Sequence, residues 1–198
     1  MALGPAHPAD HQHIASGLVL RKNEVLTNGH VCASFTSTYS HRKCVFGKHN
    51  LTEYEDGQLE INVTGYHCHE DFNYILYEHD LCVITLENNI PGFNDRIQPL
   101  KLMSRFEAFF VRHDQCKIYG WGNSNEFPDT FTPVLQVGST KIARTAACKA
   151  QIPAIQDDQM CARSDGAFAE HADSGTPIIC NTWFFGKRIV GIEFRQYV

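Results

Sequence analysis

The sequence predicts an all-β protein, a sandwich or barrel of short strands. Short runs of β-branched and aromatic residues recur along the chain, turn residues separate them at close intervals, and helical periodicity is scarce. In chain order the predicted strands are "SGLVL" (16–20), "EVLTN" (24–28), "KCVFG" (43–47), "LEINVTGY" (59–66) and "LCVITL" (81–86). After them come "CKIYGWG" (116–122), "VLQVGST" (134–140), "TPIIC" (176–180) and "KRIVGIEF" (187–194). One stretch, "TAACKAQIP" (145–153), is the best helical candidate, worth one or two turns. The Asn-, Pro- and Gly-rich segment "LENNIPGFNDRIQPLKL" (86–102) is placed to connect two β halves near residue 100. There is no internal repeat and no low-complexity linker.

Composition narrows the functional class. At 198 residues the chain suits one large domain or two small ones sharing an interface. A net charge of −5 and a pI near 6.1 give no basic patch, which argues against nucleic acid as a partner. No apolar run approaches the roughly 20 residues that span a bilayer, so no membrane role is expected. Eight cysteines argue for an oxidising compartment, and two sequons, "NLT" from Asn50 and "NVT" from Asn62, agree with it. The opening "MALGPAHPADHQH" has no basic start followed by an apolar stretch. The expectation is therefore a secreted, extracellular glycoprotein whose leader lies outside this chain. A cytosolic protein with free thiols is the alternative.

Three residues stand in settings that suit hydrolysis by serine, which needs a base to take the hydroxyl proton and a carboxylate to orient that base. His30 follows an apolar strand in "EVLTNGHVC", at a strand end where a side chain can face a cleft. Asp80 precedes another strand in "HDLCVITL". Ser174 sits in "ADSGTP", beside a glycine that permits a tight turn. Taken singly, each has a plainer reading: a surface His, a strand-capping Asp, a turn Ser.

Together these segments resemble the trypsin/chymotrypsin family of serine endopeptidases. "LTNGHVC" stands where that family has "LTAAHC", "HDLCVITL" resembles "NDIALLKL", and "ADSGTPIIC" resembles "GDSGGPLVC". The order His, Asp, Ser matches as well. Between these anchors "VFGKHNLTEYEDGQ", "CHEDFN" and "CKIYGWG" resemble the family's "LGEHNL", "HPDYN" and "C.V.GWG" segments. The likeness covers about residues 13–194. It implies a single peptidase domain of two six-stranded antiparallel β-barrels, truncated at both ends, with the triad in the cleft between them. The first barrel would span about 13–100 and the second about 101–198.

The resemblance also sorts the cysteines. Cys116 with Cys180, and Cys148 with Cys161, sit where the family has two bridges of the second barrel. The family's cysteine beside the catalytic His is Val31 here, and its partner position is Ala15, so that bridge is lost. Cys32 with Cys44 is the expected replacement, which leaves Cys68 to pair with Cys82. Spacing alone does not fix these last two pairings.

Several positions depart from the family's pattern. The N–H groups of Ala172 and Ser174 would form the oxyanion hole, and the family has glycine at the first. An added Cβ there strains the turn or crowds the substrate carbonyl. Loss of one such donor costs on the order of 100- to 1000-fold in turnover. The family buries a freed Ile-Val-Gly-Gly ammonium against the Asp preceding the nucleophile, here Asp173. This chain has no such sequence, and the stretch ahead of "HIASGLVL" is expected to be too short for the usual first segment. A buried carboxylate needs a partner. His13 falls where the family's zymogens offer a histidine, so the resemblance implies an Asp173–His13 pair; the competing reading is an exposed His13.

Phe168 would form the base of the specificity pocket, where trypsins carry an aspartate, and Glu170 replaces a pocket cysteine. Phe194, Arg195 and Gln196 replace the Ser-Trp-Gly wall that pairs with extended substrate backbone. A Lys/Arg-directed pocket is not supported; a bulky base implies small residues or a blocked pocket. The chain stops at Val198, ahead of the family's last strand and C-terminal helix.

Two functional readings compete. One is a serine endopeptidase, weak or zymogen-like, with His30 as base, Asp80 as orienter and Ser174 as nucleophile, acting on protein or peptide substrates, meeting protease inhibitors and needing no cofactor. The other is an impaired protease homologue acting as a secreted binding or regulatory protein. A third, minor candidate is a metal protein, because His67, Cys68, His69 and His79 lie close in "HCHEDFN" and "EHD". His67 and His69 would share a strand face. No Cys-x2-Cys spacing accompanies them, so no metal is assigned.

Overall fold

The computed structural model describes residues 2–5, 13–35, 42–122, 132–164 and 174–193. Within them the regular structure is mostly antiparallel strand, arranged as two sheets. The first sheet holds β1 (Ala2–Pro5), β2 (Ala15–Ser16), β3 (Leu18–Arg21), β4 (Glu24–Thr27), β5 (Arg42–Phe46), β6 (Leu59–Cys68) and β7 (Cys82–Leu86), in the order β2-β1-β5-β6-β7-β4-β3. The two outermost members, β2 and β3, are separated in sequence by Gly17 alone. They are one bent strand that pairs with β1 at one end and β4 at the other, and this closes six strands into a barrel.

Strand β1 extends this barrel ahead of residue 13, the boundary expected from sequence. "ALGP" carries no strand signal of its own. It forms a strand because β2 and β5 offer open edges on either side, which it pairs with at once.

The second sheet holds β8 (Val111–Gly120), β9 (Gln136–Ile142), β10 (Ala162–Ser164), β11 (Pro177–Thr182) and β12 (Lys187–Ile192), in the order β10-β9-β8-β11-β12. It has five strands among the described residues. The two-barrel all-β fold is the one the resemblance implies.

Alternation explains the strands. In β7, Cys82, Ile84 and Leu86 are buried, and in β11, Ile178, Cys180 and Thr182 are. Each set is every second residue and so faces one side. The first core gathers Val25, Phe46, Ile61, Ile84 and Leu86; the second gathers Val111, Ile118 and Ile178. The 86–102 segment links them. Ile90 and Ile97 are buried in the first core, and Met103 N–H donates to the Ile189 carbonyl of β12 at 2.9 Å.

The expected helix is present as α2 (Thr145–Gln151). It stops because Ile152, ahead of Pro153, is pushed out of the helical region to φ −126°. Sequence periodicity gave no sign of α1 (Gly29–Ala33), a five-residue helix too short to show a repeat.

Three disulfides are formed: Cys68–Cys82, Cys116–Cys180 and Cys148–Cys161. The first two join residues directly opposite each other, on β6 and β7 and on β8 and β11. The expected Cys32–Cys44 bridge is corrected. Both are buried free thiols. Cys32 projects from α1 onto the Cys68–Cys82 disulfide, with all three sulfurs within 4.8 Å of one another. Cys44 sits in the middle of β5, opposite Ile61 of β6.

Candidate active site

Strands β4 and β7 pair with Thr27 opposite Cys82, so the end of one lies beside the start of the other. The chain then turns into α1, and His30 is its second residue. A Cβ at Gly29 would come within 2.9 Å of the Phe72 ring, so a side chain at this turn would have to displace that ring. Asp80 comes just before β7 and is buried, with 5% of its side chain exposed. Asn28, fully buried, donates from Nδ2 to the Asp80 carbonyl at 3.1 Å and fixes the backbone that carries the carboxylate.

Asp80 uses both oxygens on one residue. Oδ1 accepts the His30 backbone N–H at 2.8 Å, and Oδ2 lies 2.7 Å from His30 Nδ1. A carboxylate can only accept, so the proton of a neutral imidazole belongs on Nδ1. Its Nε2 lone pair then faces Ser174 Oγ at 2.9 Å. The ring is steered further by Tyr77, whose ring lies edge-on to it at 5.5 Å.

Ser174 comes from the other sheet, at the turn into β11. Its carbonyl accepts the N–H of Ser16 in β2 at 2.8 Å, which stitches the turn to the first barrel. Gly175 follows with φ +83°, and a Cβ there would sit 2.0 Å from the Ser16 carbonyl oxygen and 2.5 Å from Thr27 Oγ1. Only glycine fits that turn. Gly175 N–H donates to the Glu193 carbonyl at 3.0 Å, and Glu193 N–H returns to Thr176 at 2.8 Å. Thr176, where the family has glycine, is fully buried.

The loop before Asp80 also spans the barrels. Tyr77 and His79 both have positive φ, 56° and 51°. Gln159 Nε2 donates to the Tyr77 carbonyl at 2.9 Å, and the His79 N–H donates to Asp158 Oδ2 at 2.6 Å. These bonds hold the strained backbone. His79 also stacks on His69 at 4.6 Å, while Cys68 of the same sequence cluster is held in its disulfide and His67 is exposed.

The structure thus brings His30, Asp80 and Ser174 together. His13 is buried edge-on against Trp121 at 5.5 Å, so the exposed reading of it is corrected. Ala172, Asp173, Phe168, Glu170, Phe194 and Gln196 lie outside the described residues. Sequence reasoning missed Asn28 and Tyr77. The pair "NG" ahead of His30 is a turn signal that points toward the first; Tyr77 lies in a loop with no periodicity to mark it.

A sequence model of the family described as Trypsin matches residues 6–195. Chymotrypsin-C from Bos taurus is 30% identical over 178 residues, covering 85% of this chain and 62% of that protein. Kallikrein-8 from Rattus norvegicus is 28% identical over 173 residues, covering 85% and 63%. Putative trypsin-6 from Homo sapiens is 25% identical over 198 residues, covering 93% and 76%. The chain spans about three-fifths of the length of the first two relatives.

Proposed function

Because this chain belongs to the trypsin family, we propose that it is a serine endopeptidase, weak or zymogen-like, that cleaves protein or peptide substrates through His30, Asp80 and Ser174. The observation that carries this reading is the continuous relay from Asp80 to His30 at 2.7 Å and from His30 to Ser174 at 2.9 Å. In the first step His30 Nε2 takes the Ser174 proton as Oγ attacks the peptide carbonyl. Asp80 stays ionised and balances the imidazolium that forms. The proton then passes to the leaving amine, an acyl-enzyme results, and water repeats the sequence to release the acid. No cofactor is needed for any step.

The N–H groups of Ala172 and Ser174 are assigned to the oxyanion, Phe168, Phe194 and Gln196 to the substrate pocket, and Asp173 to a zymogen-like pair with His13. The buried setting of His13 supports that last assignment. The protein is further assigned to the extracellular space, with protease inhibitors as partners and glycans at Asn50 and Asn62. Asn62 is exposed in the middle of β6 and Asn50 is half-buried.

The second reading, an impaired homologue that binds without cutting, is favoured by Ala172 in place of glycine and Phe194 in place of serine. A fluorophosphonate probe separates the two. On the enzyme reading the folded chain is labelled and Ser174→Ala is not. Folded protein that takes no label rejects it in favour of the second.

A further inference from the structure

Three sulfurs meet beside the triad. Cys32 on α1, Cys68 at the end of β6 and Cys82 at the start of β7 have their Sγ atoms within 4.8 Å of one another. Two are bonded as Cys68–Cys82, and Cys32 is a free thiol. Cys32 lies two residues from His30, and Cys82 lies two residues from Asp80. Once ionised and brought in line with the bond, a thiol beside a disulfide can exchange with it without oxidant or reductant.

We propose that Cys32 is an internal thiol-exchange site, which moves the disulfide from Cys68–Cys82 to Cys32–Cys82. The Cys32 thiol gives up its proton, which ends on the departing Cys68 sulfur, and the Cys32 sulfur forms a bond to Cys82 Sγ. The Cys68–Cys82 bond breaks, and Cys68 leaves as a thiolate that takes up a proton. The number of disulfides is unchanged. The direction follows from exposure: Cys82 is 1% exposed, whereas Cys68 is only partly buried. The leaving thiolate is better solvated at Cys68, and a more stable leaving thiolate departs faster. The product covalently joins the helix that carries His30 to the strand that follows Asp80.

The surroundings set a kinetic signature. Burial pushes the Cys32 thiol up to about 12; Arg42 of β5 draws it down and Asp80 adds to the rise. Cys44 of β5, likewise pushed up to about 12 by burial, is a further titratable group near it. The reactive thiolate fraction therefore grows about tenfold per pH unit up to and beyond pH 10. An ordinary thiol would level off above about 8.5.

The test is covalent and independent of turnover. The oxidised protein is incubated without added thiol at pH 7 to 10, quenched in acid with N-ethylmaleimide, digested unreduced and mapped by mass spectrometry. The expected result is a Cys32–Cys82 linked peptide with maleimide on Cys68, forming about tenfold faster per pH unit throughout. Cys44→Ala should leave this unchanged and Cys32→Ala should abolish it. Maleimide confined to Cys32 and Cys44 at every pH overturns the proposal. So does a Cys32–Cys68 bond with maleimide on Cys82. If Cys32→Ala does not fold, the unvaried chain and Cys44→Ala decide the matter alone.

Discussion

The two barrels differ, over their described residues, in closure and in cross-linking. The first closes its strands into a ring around a core of twelve buried residues, from Ala15 to Ile97. The second, over its described residues, is a five-stranded sheet with five buried core residues, two of them cysteines of one bridge. Four aromatic side chains at its far end, Phe106, Phe109, Trp183 and Phe184, stay more than 60% exposed. Among the described residues the first barrel carries one cross-link, Cys68–Cys82, and the second carries two, Cys116–Cys180 and Cys148–Cys161. The same split runs through the site. His30 and Asp80 come from adjacent strand ends of the closed barrel, where neighbouring strands fix their separation. Ser174 comes from a turn of the other sheet and depends on a joint.

That joint is the most sensitive point of the comparison. Gly175→Ala would drive a Cβ into the Ser16 carbonyl oxygen and Thr27 Oγ1 at a φ that side chains rarely adopt. Backbone of one barrel cannot yield to the other without breaking the Ser16–Ser174 hydrogen bond. The expected loss is about 4 kcal/mol or more, read from urea unfolding. A loss under about 1 kcal/mol would mean that the barrels are held elsewhere.

The contrast itself can be measured by deleting one bridge from each barrel. Cys116–Cys180 closes 64 residues and Cys68–Cys82 closes 14. Loop-closure entropy alone assigns about 4 kcal/mol to the first and about 3 kcal/mol to the second. Double Cys→Ala variants of each pair, compared by denaturant midpoint, should keep that order. The reverse order would show that loop length does not set what these two bridges contribute.

How far the sequence revealed this depended on whether a feature was local. The strands with alternating apolar residues, such as "LCVITL" and "TPIIC", were legible because burial of one face imposes a two-residue period. His30, Asp80 and Ser174 were legible because each sits in a short segment with a recognisable setting. Strand β1 was not, since "ALGP" becomes a strand through the edges it fills and not through its own residues. The Cys32–Cys44 expectation failed for a related reason. Both cysteines belong to one barrel, yet the face of α1 that carries Cys32 is set by packing against β6 and β7, and spacing does not encode it. Gly175 could be placed in a turn from its sequence, but the cause that excludes every other residue is a carbonyl of Ser16, far away in the chain.

The smallest expected effect probes how the second barrel anchors its exposed end. Arg188 on β12 donates to Glu107 Oε1, with Nε at 2.9 Å and Nη2 at 2.8 Å, tying the turn at Glu107–Phe110 to the sheet. That hydrogen bond, with a second from the Ser104 backbone N–H, holds the Glu107 carboxyl at about 2, below the usual 4.5. A depressed carboxylate stabilises the fold fully above its unfolded value and loses that contribution as pH falls through its folded one. The window is therefore about pH 4.5 down to 2. Solvent reaches this pair, so its share of total stability is modest. Glu107→Gln should leave the stability profile of the unvaried chain intact above pH 5 apart from a small uniform loss, and flatten its acid limb. Denaturant midpoints taken from pH 2 to 6 would read this directly. An acid limb unchanged by Glu107→Gln would place the titration on other carboxylates and remove this anchor from the account of the second barrel.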